Sequence, residues 1–129
     1  MFTKDIRIGH LYCEKILYHT FQTEDERLTV FCCDFFKMKT ELLGEKKCEA
    51  VFDRGAFEAI YETDREAYVK LILDFVTPDF RYIVECYDYE GEYKGPPRSC
   101  KKEKVFALFS GHKIEPNLIS KGLYIMSKV

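Results

Sequence analysis

The chain has no tryptophan, only four prolines and only seven glycines among 129 residues. It also has no excess of charge of either sign: 20 Lys and Arg face 22 Asp and Glu, a formal net charge of -2. That balance supplies no steering field for nucleic acid. The basic trio Lys101, Lys102 and Lys104 reads as the solvated face of a helix. No apolar run approaches the roughly 18 residues of a membrane span. Met1 to Asp5 carry neither the apolar stretch nor the small-residue site of a signal peptide. The expectation is a cytoplasmic chain with no membrane partner.

Six cysteines are present, but no Cys-x-x-Cys spacing, and His10, His19 and His112 stand at no ligand spacing from them. Metal is not expected. Cys32, Cys33, Cys48 and Cys86 sit in or beside apolar runs, where free Cys behaves as a small hydrophobe, whereas Cys13 and Cys100 read as peripheral.

Nearly half of the residues are apolar and a third charged, the balance of one globular domain with a modest core. Apolar residues of 6–21 recur at three to five positions, which predicts a helix weakened at Gly9. Residues 28–33 form a β-prone run read as a strand covered on both faces. One or two helical turns are expected over 38–43, a strand over 48–52, and a short apolar turn over 56–61. Thr63 with Glu66 suggests a capping box for a helix to about Val76, stopped by Thr77-Pro78-Asp79. A strand follows over 80–87, then a polar loop, 88–98. Ser99 is expected to cap a helix including 102–109, and strands over 112–115 and 122–127 turn about Pro116-Asn117. This alternation predicts an α/β, Rossmann-like sheet with parallel pairs and an antiparallel last pair.

Charged residues stand just beyond predicted strand ends: Asp34, Asp53-Arg54 and Asp88. In open α/β sheets that edge receives ligands. A carboxylate there can accept from a sugar hydroxyl or an adenine amino group, and Arg54 can grip a carboxylate bidentately. The plainer alternative has Asp53 capping the next turn and Arg54 in a surface ion pair.

Asp53-Arg54-Gly55-Ala56 with Ala59-Ile60, Arg65 and Tyr68, Phe80-x-Tyr82, Cys86 and Gly95-Pro96-Pro97 follow one another in a recognisable order. Together with Cys32-Cys33-Asp34-Phe35 upstream and Leu123-Tyr124-Ile125 at the end, they resemble the thiopurine S-methyltransferase family. The resemblance implies the class I methyltransferase sheet and methyl transfer from S-adenosylmethionine to the sulfur of an aromatic or heterocyclic thiol. By the same resemblance Asp34 and Phe35 contact the adenine end of the cofactor, Arg54 lies in the cofactor pocket, and Gly95, Pro96 and Pro97 border the active site. Asp53 joins the cofactor set by its place at the strand tip. No general base is nominated, because an acidic thiol needs only to be held in line with the sulfonium methyl.

The likeness runs over 28–129, with 1–27 an atypical N-terminal segment of the same partial domain. No glycine-rich loop follows an early strand: after Gly9 the next glycine is Gly44. The sheet is therefore expected to be incomplete, with the family's first strands missing as in a truncated gene product. The opened edge would be filled by re-pairing of the strand over 48–52, by the N-terminal segment, or by another chain. The expected state is a monomer, or association through that edge. The competing reading is a non-catalytic remnant that serves as an interaction module.

Overall fold

The computed structural model describes residues 6–13, 16–44 and 46–129, with side chains from residue 20 onward. It divides into two compact units, Met1–Leu42 and Leu43–Val129.

In the first unit β1 (Ile6–Cys13), β2 (Ile16–Thr23) and β3 (Thr29–Cys32) form an antiparallel sheet in that order. The helix expected over 6–21 is thus replaced by strands. Its apolar spacing was compatible with either period, and the β-branched and aromatic content, with a glycine inside, favours extended backbone. The β2–β3 turn is closed by Thr23, whose N–H donates to the Leu28 carbonyl (3.0 Å), while its hydroxyl donates to Asp25 (2.7 Å). β3 alternates half-buried and exposed residues, so the expectation of cover on both faces fails. Beyond it, Asp34 caps a short 3-10 turn, Phe35–Lys37. A second turn, Thr40–Leu43, matches the helical turns expected there.

The second unit contains β4 (Cys48–Arg54), α1 (Arg65–Phe75), β5 (Val76–Glu85), α2 (Lys102–Gly111), β6 (Ile114–Ser120) and β7 (Leu123–Lys128). The sheet order is β4-β5-β7-β6, with β4 and β5 parallel and the remaining pairs antiparallel. This is the expected partial Rossmann-like α/β sheet, with β4 at its edge. Four local expectations are corrected. Thr63 lies inside a 3-10 turn, Glu62–Asp64, and α1 starts at Arg65 without a side-chain cap. Thr77-Pro78-Asp79 does not separate helix from strand but lies within β5, in the irregularity between the Cys48–Val76 and Ala50–Arg81 pairs. A bulge tolerates proline there because no ladder donor is required. Ser99 does not cap α2; its hydroxyl donates to the Tyr89 carbonyl at 2.9 Å. Pro116-Asn117 lies within β6, an edge strand where proline is admitted, and the chain turns instead at Lys121-Gly122.

Both helices cover the sheet face that presents Asp53, Tyr82 and Tyr124. Tyr82, Val84, Val69, Val105, Phe109, Tyr124 and Met126 are essentially inaccessible there. Phe109 packs its ring 5.8 Å from Tyr82 and 6.0 Å from Phe57. On the opposite face Phe52 of β4 is 67% exposed. Cys100 is fully buried, contrary to its peripheral reading, and Cys32 is exposed.

Candidate functional site

β4 and β5 are parallel, so their carboxyl ends deliver Asp53-Arg54 and Glu85-Cys86 to the same sheet edge. Alternation along β4 then turns the two neighbours to opposite sides.

Asp53 points inward and is 4% exposed. Its Oδ1 accepts from the Phe57 N–H at 3.0 Å, and its Oδ2 accepts from the hydroxyls of Tyr68 and Tyr82, both at 2.7 Å. Burial and the Asp53 charge hold both phenols far above their ordinary range. Asp53 is therefore engaged on both oxygens within the protein, and it caps the turn that follows β4. The plainer of the two sequence readings describes its geometry.

Arg54 points outward, and its Nε lies 3.5 Å from a carboxylate oxygen of Glu85. It borders a cleft of about 280 Å³ shared with Glu58, Glu85, Cys86, Tyr87 and Lys121. Glu58 is the cleft's buried carboxylate: its Oε2 accepts from the Tyr87 N–H at 3.1 Å. Sequence reasoning passed over Glu58, since a lone Glu in a short turn carries no pattern.

The Gly95-Pro96-Pro97 segment is held against the turn after β4. The Arg98 N–H donates to the Glu58 carbonyl at 2.8 Å, and the Arg98 guanidinium donates to the Ala59 carbonyl while lying 3.9 Å over the Tyr61 ring. Tyr89 donates to the Pro97 carbonyl (2.8 Å) and Tyr93 to the Pro96 carbonyl (2.6 Å). Gly95 has φ +79°, and a Cβ there would lie 2.6 Å from the Pro97 backbone. The structure thus brings the Gly95-Pro96-Pro97 loop to the same turn that carries Asp53 and Glu58.

Asp34 and Phe35 belong to the first unit. Asp34 Oδ1 accepts from the Phe36 N–H at 3.1 Å, and its Oδ2 lies 3.6 Å from the Lys37 ammonium. The carboxylate is half exposed beside the half-buried Phe35 ring.

Arg65, at the start of α1, is 4% exposed. Its guanidinium lies 5.0 Å from the Phe57 ring centroid, and Nη1 reaches only the Ser99 carbonyl, at 3.5 Å. Nε and Nη2 have no hydrogen-bond acceptor among the described residues. A second cavity of about 320 Å³ lies between Phe57, Arg65, Glu66, Lys104, Val105 and Leu108. No group of metal-binding side chains occurs among the described residues. No helix among them is long and apolar enough to cross a membrane.

The thiopurine S-methyltransferase family model matches residues 9–121. A probable thiopurine S-methyltransferase of Danio rerio is 30% identical over 92 residues, which cover 70% of this chain and 39% of that protein. The thiopurine S-methyltransferase of Bos taurus is 29% identical over 90 residues, 69% of this chain and 36% of its own length. The chain thus spans well under half the length of these curated relatives. Among solved structures, the 1,6-didemethyltoxoflavin-N1-methyltransferase of Burkholderia thailandensis, with 1,6-didemethyltoxoflavin and S-adenosylhomocysteine bound, aligns with a TM-score of 0.52. That alignment has 15% identity and covers 73% of this chain and 46% of the other. The likeness is one of fold.

Proposed function

The chain belongs to the thiopurine S-methyltransferase family, and from that premise we propose that it serves S-adenosylmethionine-dependent methyl transfer to the sulfur of an aromatic or heterocyclic thiol. The observation that carries the reading is the pairing of β4 and β5, which sets Arg54, Glu58 and Glu85 around one cleft at the carboxyl edge of the sheet.

The residues fit the cofactor in part. Arg54, 72% exposed in its side chain, can exchange Glu85 for the carboxylate of the cofactor's methionine portion. Asp53 does not fit as a ligand, because both of its oxygens are already satisfied. It acts instead as a positioning residue: it fixes the turn that sets Arg54 on one side and Glu58 on the other.

When bound, the cofactor supplies the electrophilic methyl group. The chain's own work is to orient and to exclude water. Glu58 anchors Tyr87 at the cleft wall, and Arg98 ties the Gly95-Pro96-Pro97 loop to the backbone of Glu58. A heterocyclic thiol held against that wall needs no dedicated base, since proximity and alignment do the work.

The second reading, a non-catalytic interaction module, is favoured by one observation: β4 is the edge of its sheet, an edge at which another strand can add. Calorimetric titration with S-adenosylhomocysteine separates the two. Saturable binding that Arg54→Ala weakens about tenfold, together with methylation of a thiophenol by labelled S-adenosylmethionine, supports the enzyme. Heat no greater than dilution at millimolar ligand overturns it for this chain and leaves the module.

A further inference from the structure

Among the described residues, Cys86 and Cys100 are two buried cysteines on neighbouring segments of the chain. Cys86 leaves the end of β5 with its N–H on the Gly122 carbonyl at 2.8 Å. The Cys100 N–H donates to the Tyr87 carbonyl at 2.6 Å, so the two chain segments run side by side, one residue out of step. Both residues are buried, at 6% and 0% exposure, the Cys100 thiol donates to the Arg98 carbonyl at 3.4 Å, and each thiol acts electrostatically on the other. Cys86 nevertheless forms part of the wall of the Arg54 cleft, which brings a small solute to the Cys86 side of the pair.

Arg65 is the second observation. A buried guanidinium with two unused donors is costly unless an anion answers it. The Cys86 thiol first, and then, against burial, the Arg65 charge, push the Cys100 thiol down and so favour its ionisation; the same charge acts on Cys86. The neighbouring Cys100 thiol and then burial push the Cys86 thiol up. Glu58 opposes ionisation at both sulfurs and Asp53 at Cys100, while Tyr124 of β7 faces both. Arg65 acts on both sulfurs, and its Nη1 reaches the carbonyl of Ser99, the residue before Cys100, so a thiolate at Cys100 would form near a buried cation.

We propose that Cys86 and Cys100 form a redox-modification site, oxidised by a hydroperoxide to a reversible disulfide, with Arg65 as the cation that favours the attacking Cys100 sulfur. The balance is simple. The Cys100 thiolate attacks one oxygen of hydrogen peroxide, the O–O bond breaks, and hydroxide leaves to give a sulfenic acid. The Cys86 thiol then attacks that sulfur, the S–O bond breaks, and water leaves. Two thiols and one peroxide yield one disulfide and two waters. The bridge would close the loop 87–99, which carries Gly95-Pro96-Pro97, against the end of β5. The site owes nothing to methyl transfer and stands or falls separately from it.

The test treats the reduced, purified chain with stoichiometric hydrogen peroxide, alkylates the remaining thiols and digests with trypsin without reductant. Cleavage after Arg81, Lys94 and Arg98 separates the two cysteines, so a bridge appears as fragment 82–94 joined to 99–101. The expected result is that this linkage forms first, disappears with dithiothreitol, and raises Tm by about 10 °C for a loop of this length. Arg65→Met should slow its formation about tenfold and Arg65→Lys much less, with unchanged far-UV circular dichroism as the check on folding. Exposed Cys32 is the internal control. If Cys32 oxidises while Cys86 and Cys100 are recovered alkylated, or if they are recovered linked indiscriminately to other cysteines, the proposal is overturned. Equal rates in Arg65→Met and the parent chain would overturn the role of Arg65.

Discussion

Replacing Asp53 by alanine removes the acceptor for three donors at once: the Phe57 N–H, the Tyr68 hydroxyl and the Tyr82 hydroxyl. Tyr82 is 0% and Tyr68 6% exposed, so neither hydroxyl has water to turn to. A hydrogen bond to a charged group contributes about 1.5–3 kcal/mol, and a stranded buried donor costs a comparable amount. Three losses at the low end give about 4.5 kcal/mol, a large share of the roughly 5–15 kcal/mol that holds a domain together. With a urea dependence of about 1.5 kcal/mol per molar, the midpoint should fall by about 3 M. Far-UV circular dichroism is the suitable probe, because the chain has no tryptophan.

The comparison that isolates the network is the same substitution in a Tyr68→Phe, Tyr82→Phe background. With both hydroxyls gone, alanine at position 53 strands only the Phe57 N–H, and its cost should drop to about 2 kcal/mol. Asp53→Asn keeps the volume and one carbonyl oxygen and should cost about 1.5 kcal/mol. An Asp53→Ala cost under about 1 kcal/mol would refute the reasoning. So would an equal cost in the two backgrounds, which would mean that the carboxylate is not what the tyrosines depend on.

Gly122 has φ +79°, and a Cβ there would meet the Cys86 carbonyl oxygen at 2.1 Å, whereas Gly91, at φ +117°, has nothing within 4 Å. Gly122→Ala should therefore cost about 3 kcal/mol or more in urea unfolding and Gly91→Ala about 1 kcal/mol. Lys104→Ala breaks the pair with Glu62 at 2.6 Å, but both side chains are more than half exposed, so Tm should move by no more than about 2 °C. In alkali, burial and then nearby cysteine and carboxylate charges push Tyr124 up to about 12, and Tyr68 and Tyr82 lie higher still. Unfolded phenols ionise near pH 10, so the folded state holds protons that the unfolded state has released. That contribution is complete below pH 10 and is lost as pH rises toward 12. Absorbance at 295 nm should show these three tyrosines ionising only together with the loss of helical signal, and their smooth titration before unfolding would contradict their burial.

How much of this was legible depended on which residues had local causes. β4 and α1 could be read because their patterns are produced by the face they bury: Val51 and Asp53 turn inward in β4, and Tyr68, Val69, Ile72 and Phe75 do so in α1. The N-terminal strands could not, because apolar residues at three-to-five spacing satisfy a helix as well as a hairpin, and pairing with β3 decides between them. Ser99 and Thr63 have cap-like neighbours, yet tertiary partners claim them or shift the helix start, a choice no local pattern records.

The strand tip illustrates the limit most clearly. A charged pair after an apolar run announces that the sheet edge lies there, and it does. It does not say which member faces the cleft, because β4 alternation turns one residue toward the helices and one toward solvent, and phase is fixed by the whole strand. Here the phase gives Asp53 to the interior, where two tyrosines from α1 and β5 complete it, and leaves Arg54 to the cleft. The same logic explains why Arg65 and Cys100 were underrated. Their chemistry arises from being packed together with Cys86 across about 35 residues of chain. Substitutions at Asp53 should therefore read out first as stability and only through it as ligand affinity, whereas substitutions at Arg54 should read out as affinity at unchanged Tm. A variant pair that reversed this order would mean that the phase of β4 had been assigned the wrong way round.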